Sequence, residues 1–299
     1  MAGELPAISI VIATYARPRQ LAACLEAVFA LDYPRDRFEV IVVDDGAPEP
    51  VGPVAEQHRD RLRIRVERTE RGGPGAARNA GARLADGELL AFIDDDCLPT
   101  PGWLRGLAEL HRASPSHALG GRTLNALGGS PFSETTQLLN DVLYDHYNTN
   151  GNGDWYFASN NMAVPAEGFR ALDGFKVDLP NLEDRDLCER WAAHGYGMSF
   201  APRAVVHHAH EVTLRGFAAQ HFSYGRGAHA LSRDRAVRTG KPEWPEVGLH
   251  VEFVRQALRR GARGPLLAAL VLVSQAAYVA GFLGQRWRGW PTPWQAARR

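Results

Sequence analysis

The sequence predicts an α/β fold: a mostly parallel sheet flanked by helices, followed by a helical C-terminal extension. Three observations predict it. In the first hundred residues, short apolar runs alternate with helix-like segments. Each run ends in a cluster of polar or charged residues. After Thr100 the alternation loosens, and helical patterns carry the chain toward its end.

The elements follow in order. Ile8 to Ala13 is continuous and β-branched, as a strand buried on both faces should be. Pro18 to Leu31 reads as a helix with Leu21, Leu25 and Val28 on one face. Phe38 to Val43 is a second buried strand, and Leu62 to Val66, flanked by charges, is a third nearer an edge. Pro74 to Ala85 reads as a helix with proline in its first turn. Leu89 to Ile93 is the fourth strand. Further on, helices are expected at Trp103–Arg112, Ser133–Tyr147 and Asp184–His194, and strands at Ala118–Thr123 and Ala204–His208. Thr149 to Gly153 reads as a loop. One cut is expected: a domain over residues 1–230, with halves 1–100 and 101–230, then a helical extension over 231–299.

Composition narrows the function. With 299 residues, 45% hydrophobic, the chain can bury a sizeable core. Its 34 basic and 34 acidic residues cancel, so it lacks the positive field that nucleic-acid binding needs. Cys24, Cys97 and Cys188 lie far apart, with no CxxC pair, which suggests neither a zinc site nor a disulfide framework. The N-terminus lacks the basic start and apolar stretch of a signal peptide, so a cytoplasmic body is expected. Residues 265–283 carry no charge and are flanked by arginines on both sides. That length is at the lower edge of what spans a bilayer. Packing within the protein, dimerisation, or peripheral contact with the inner face of the cell membrane suits the segment as well.

In an open parallel sheet, ligands bind beyond the carboxyl ends of the strands. The first strand ends in Thr14-Tyr15-Ala16-Arg17-Pro18, the second in Asp44-Asp45-Gly46, and the fourth in Asp94-Asp95-Asp96. The third leads into the glycine-rich run Arg71 to Asn79, which opens a helix. Three adjacent carboxylates repel one another unless a cation joins them, and oxygen ligands suit Mg²⁺ or Mn²⁺. Alone, the triplet could also be a solvated acidic turn before Pro99. Asp44-Asp45-Gly46 is either a turn or a partner for base and ribose. The Arg71–Asn79 run is neither a P-loop nor a dinucleotide fingerprint, but its backbone N–H groups and Arg78 could meet a phosphate or base. Glu183-Asp184 reads as a helix cap or a general base.

Taken in order, Ile8–Thr14, Val42–Gly46, Gly75–Asn79 and Phe92–Asp96 resemble family 2 glycosyltransferases, the inverting group with the GT-A fold. The likeness continues through Asn160–Ala163, Gly174-Phe175, Leu182–Leu187, Gly195-Tyr196 and Pro202–His210, covering roughly residues 6–230. It implies a nucleotide-binding half and an acceptor half. It further implies a divalent metal, Mn²⁺ or Mg²⁺, and a nucleotide-sugar donor, a UDP-sugar first among them. The acceptor hydroxyl would belong to a polysaccharide, a lipid-linked glycan or a small molecule. Asp44 or Asp45 would recognise base and ribose. Thr14, Tyr15 and Arg17 would line the same pocket, with Arg78 and Asp95 beside them. Asp94 would touch ribose or metal, Asp96 would be the main metal ligand, and His208 a second, with His207 and His210 left open. Asp184, paired with Glu183, would be the general base. Asn160, Asn161 and Trp155 would face the acceptor. Arg226, within Gln220–Gly227, would close over the diphosphate.

Two other classes fit an acidic α/β site: a nucleotidylyltransferase and a non-catalytic carbohydrate-binding protein of the same fold. The former usually has an early glycine-rich loop with a reactive basic residue. Here that place holds Thr14 to Pro18.

Overall fold

A computed structural model describes residues 4–149, 155–240 and 247–288. The first half alternates as expected: β1 (Ile8–Thr14), α1 (Pro18–Phe29), β2 (Phe38–Asp44), a short α2 (Gly52–Glu56), β3 (Ile64–Arg68), α3 (Pro74–Leu84) and β4 (Leu89–Asp94). Then come β5 (Cys97–Pro99), α4 (Trp103–Ala113), β6 (Ala118–Asn125), α5 (Pro131–Thr149), β7 (Asn161–Pro165), α6 (Ala166–Ala171), α7 (Glu183–Ala193) and β8 (Met198–His208). Three helices follow: α8 (Leu214–Thr239), α9 (Val247–Leu258) and α10 (Gly264–Arg288).

The eight strands form one sheet in the order β3-β2-β1-β4-β7-β6-β8-β5. β3, β2, β1 and β4 run parallel to one another. Beyond β4 the pairings β4–β7, β6–β7 and β5–β8 are antiparallel. The sheet is therefore mixed: the parallel expectation holds for its first half only. The two strands the sequence does not announce, β5 and β7, lie in the antiparallel half, and the short helices α2 and α6 are likewise unannounced. β5 is three residues long, too short for a period, and β7 begins on a polar asparagine. The loop expected at 149–153 lies largely outside the described residues, as do residues 289–299.

Alternate residues of β1 serve opposite faces, as the two-residue strand period requires. Ile8, Ile10 and Ile12 share a core with Leu21, Cys24, Leu25 and Val28 of α1 and Trp103, Leu104 and Leu107 of α4. On the other face, Gly81 of α3 lies against Val11 and Val43, where an added Cβ would come within 2.5 Å of a Val11 methyl. Phe92, Phe169 and Phe175 continue that layer, with ring centroids 5.0–5.3 Å apart.

The chain divides into two compact units that are interleaved in sequence. The first comprises Met1–Leu124, Trp155–Val177 and Leu187–Ala209; the second, Asn125–Asp154, Asp178–Asp186 and His210–Arg299. The boundary expected at residue 230 falls inside α8, a continuous 26-residue helix. In the second unit, α5, α9 and α10 share an apolar core of Leu138, Leu139, Phe253, Leu267 and Val271. α8 meets α10 backbone to backbone: a Cβ on Gly225 would fall 1.9 Å from the Tyr278 carbonyl oxygen, and one on Gly281 1.9 Å from that of Phe222.

Candidate active site

β1 has β2 on one side and β4 on the other, so the connections leaving it diverge at the carboxyl ends of β1 and β4. A crevice is expected at such a switch point. Two of the predicted clusters meet there. Thr14 Oγ1 donates to Asp95 Oδ2 at 2.6 Å. Arg17 Nη1 donates to Asp95 Oδ1 at 3.1 Å and to Asp96 Oδ2 at 2.9 Å. The turn between them is tight, with Ala16 in the left-handed region at φ 54°. Arg78, buried in the first turns of α3, donates to Asp94 Oδ1 at 2.6 Å. Two guanidinium groups thus offset part of the triplet's charge: Arg17 is shared by Asp95 and Asp96, and Arg78 serves Asp94.

His208 completes the cluster through strand pairing. β8 runs antiparallel to β5, with His208 opposite Cys97. Ala209 N donates to the Asp96 carbonyl at 2.8 Å. This register brings His208 Nε2 to 3.1 Å from Asp96 Oδ1. His208 and Asp96 belong to a group of side chains able to hold a metal ion. One imidazole nitrogen and adjacent carboxylate oxygens form a donor set that fits Mn²⁺ or Mg²⁺. His210, two residues further along the chain, begins the second unit.

The electrostatics follow from burial. Asp95, 3% exposed, is pushed up to about 6, because desolvation outweighs the opposing effects of Arg17 and Thr14. Burial disfavours the charged form of His208, but the hydrogen bond and charge of Asp96 outweigh it and raise its pKa. Cys24 and Cys97, buried behind the triplet, are held well above the usual thiol range, first by desolvation and then by these carboxylates.

The second strand's aspartates have separate tasks. Asp44 Oδ1 accepts from Ala47 N at 2.8 Å and Oδ2 from Val51 N at 3.3 Å, so it shapes its own loop. Asp45 accepts from Gly72 N at 2.7 Å and Gly73 N at 3.0 Å, tying the glycine-rich run to β2. Gly46, at φ 71°, permits this approach: a Cβ there would sit 2.8 Å from Arg71 N. Arg71 in turn lies over the Tyr15 ring, its guanidinium carbon 4.1 Å from the centroid. The sequence reading quoted Arg71 only as the start of a glycine run; the contact depends on two loops from different strands.

Asn161, expected to face the acceptor, lies inside the protein. It is fully buried, its Oδ1 accepts from Trp103 Nε1 at 2.8 Å, and its Nδ2 donates to the carbonyls of Arg122 at 3.1 Å and Ala204 at 3.0 Å. Its amide ties β6, β7, β8 and α4 together. Sequence reasoning missed Trp103 as its partner, because an aromatic at the start of an apolar helix face reads as core. Asn160 is nearly buried and accepts from Thr123 Oγ1 at 3.4 Å; Trp155 is partly exposed beside Phe157.

In the second unit, Leu182 adopts φ 67° immediately before α7. Glu183, Asp184 and Asp186 then fill the first turn of that helix, where the peptide dipole favours carboxylates. Asp184 Oδ1 accepts from Arg185 N at 2.8 Å. Fully buried Asp186 is paired with Arg238 at 2.9 Å, a structural role the sequence did not reveal. Gln220–Gly227 lies within α8. Arg226, 8% exposed, donates from Nε to Gln285 of α10 at 3.0 Å.

The model for glycosyl transferase family 2 matches residues 9–167, and that for glycosyl transferase family group 2 matches residues 89–295. The chain belongs to glycosyltransferase family 2. Among curated relatives of this family 2 chain, a validoxylamine A glucosyltransferase of Streptomyces hygroscopicus subsp. jinggangensis is 27% identical over 71% of this chain and 59% of its own length. The glycosyltransferase AglE of Haloferax volcanii is 38% identical over 37% of each chain. The chain thus spans about 37–59% of the length of these relatives. Among solved structures, a mannosyltransferase from Pyrobaculum calidifontis, in complex with GDP-Man and Mn²⁺, superposes with a TM-score of 0.68 at 23% identity, covering 95% of this chain and 88% of that one. Residues 1–349 of S. aureus TarS, in complex with UDP-GlcNAc, give 0.55 at 18% identity, covering 93% and 91%. These likenesses establish the GT-A fold.

Proposed function

We propose that the chain transfers a sugar from a nucleotide-sugar to an acceptor hydroxyl, with inversion and with a divalent metal at Asp96. The convergence of Thr14, Arg17, Asp95, Asp96 and His208 at the switch point of the sheet carries this reading. Asp96 and His208 would hold the metal, with Asp94 shared between metal and ribose and His210 a further candidate. When bound, such a metal neutralises charge developing on the leaving diphosphate.

The chain's own groups supply the rest. Arg71 and Tyr15 form an aromatic-cationic wall suited to a base or ribose. Asp45 positions the Gly72 and Gly73 backbone that leads into α3, whose N-terminus favours a phosphate. Asp95 fixes Thr14 and Arg17. Asp184 takes the proton from the acceptor hydroxyl as its oxygen bonds to the anomeric carbon on the face opposite the leaving diphosphate. The anomeric carbon–oxygen bond to the diphosphate breaks in the same displacement, which inverts the configuration. Solved neighbours hold GDP-Man and UDP-GlcNAc, so guanosine and uridine donors are the first to screen.

The test is Asp184→Asn. It should bind the donor that stabilises the wild type while releasing nucleoside diphosphate at least 10²-fold more slowly in the presence of acceptor. Wild-type turnover by this variant would exclude Asp184 as the base.

A further inference from the structure

α10 buries Leu267, Ala268, Leu270 and Val271 in its N-terminal half, but from Ser274 onward polar groups and glycine join Tyr278 and Phe282 on the side turned toward the rest of its unit. Ser274 is fully buried, Gln275 hydrogen-bonds His250 and Gln285 accepts from Arg226. The Gly281 backbone lies on Phe222 of α8. The side chains turned outward are apolar: Leu266 is 52% exposed, Leu272 59%, Val279 49% and Trp287 78%, with Val273 and Leu283 between them. With exposed Ala269, Ala276 and Ala280 between them, they recur at three- and four-residue intervals from Leu266 to Trp287, the spacing of one helical face. A helix surrounded by water would be patterned the other way.

The charge around this face points to one occupant. After Glu252 the sequence contains eight arginines and no acidic residue. Arg259, Arg260 and Arg263 precede the apolar stretch, and Arg286 and Arg288 end it. Arg260 and Arg263 reach Asp141 and Glu134 of α5, but both stay at least half exposed. Pairing α10 with α10 of a second copy would bring arginine-rich ends together in either orientation, which like charge opposes. Tryptophans at 287, 290 and 294 add the residue type that favours the boundary between headgroups and acyl chains.

We propose that the outward face of α10 docks on an anionic lipid bilayer, lying in the interface plane with its arginines among the headgroups. By length and composition alone α10 could cross a bilayer. Its Gly225–Tyr278 and Gly281–Phe222 contacts with α8, a helix rich in charged and polar residues, keep one side against protein instead. Anchoring of this kind combines buried apolar area with attraction to anionic lipid.

The test is flotation of the full chain with vesicles of phosphatidylcholine alone or with one quarter phosphatidylglycerol. Wild type should float with the anionic vesicles and shift its tryptophan emission to the blue. Leu272→Glu/Val279→Glu should lower partitioning at least tenfold with helical circular dichroism unchanged. Should that variant misfold, Trp287→Ser, at a side chain 78% exposed, should keep the fold and lose several-fold in partitioning. Wild type that stays unbound, or floats equally with neutral vesicles, would overturn the proposal. So would variants that float like wild type, resistance to alkaline extraction, or a dimer without lipid that the double substitution dissociates.

Discussion

Asp95→Asn should make the protein more stable at neutral pH. Asp95 sits 3% exposed between Thr14 and Arg17, and burial lifts its pKa from the usual 3.8 to about 6. A carboxyl whose pKa is raised by folding binds its proton more tightly in the native state. Its favourable contribution is therefore complete below about pH 4 and is lost as pH rises through 6. At about 1.4 kcal/mol per pH unit, the interval between 3.8 and about 6 corresponds to on the order of 3 kcal/mol lost by pH 7.5. Asparagine, neutral at every pH and of the same shape, escapes that loss; the pull of Arg17 on the carboxylate is already contained in the raised value. Arg17 is half-exposed, so its pull does not restore the usual value, and the gain is on the order of 3 kcal/mol at pH 7.5. The assay is urea unfolding with chelator present, at pH 7.5 and pH 5. The variant should exceed wild type at pH 7.5 and by a smaller margin at pH 5, where native Asp95 is largely protonated. A variant less stable at pH 7.5, or a difference that ignores pH, would refute the reasoning.

Two further perturbations test other links. Gly281→Ala should destabilise by about 1–3 kcal/mol, because its Cβ would fall 1.9 Å from a backbone oxygen that no rotamer can move. Gly248→Ala, with nothing within 4 Å, should be neutral or stabilising by up to about 1 kcal/mol, and the two urea midpoints report the contrast. Arg17→Gln should tighten Mn²⁺ binding several-fold in calorimetry without nucleotide, since Arg17 otherwise competes for the Asp95 and Asp96 oxygens; unchanged or weaker binding would show that it does not compete.

The parallel half of the sheet was legible because each strand is a continuous apolar run with a polar exit, a pattern that survives without tertiary context. Asp94, Asp95 and Asp96 were legible as a site for the same reason. What each carboxylate touches was not, because Thr14, Arg17, Arg78 and His208 reach them from four other elements. His208 was singled out through family likeness, and the β5–β8 register supplies the physical reason. Asn161 looked like an acceptor ligand because an amide beside aromatics suits a sugar; only the Trp103 indole and two carbonyls reveal it as a buried strut. The antiparallel strands escaped notice because β5 is too short for any period and β7 opens on that polar asparagine. Arg226 was singled out through family likeness; the glycines that flank it serve close contacts of α8, Gly225 against α10 and Gly227 against the Asn181 backbone, which only the packed structure reveals.

The role proposed for Asp96 is to hold a metal on which donor binding depends. Titrating UDP- and GDP-sugars into wild type and Asp96→Ala, each with Mn²⁺ and with chelator, tests it most directly. Wild type should bind one donor with Mn²⁺ and at least tenfold more weakly with chelator, and folded Asp96→Ala should bind weakly in both. Equal donor affinity across all four conditions would contradict it.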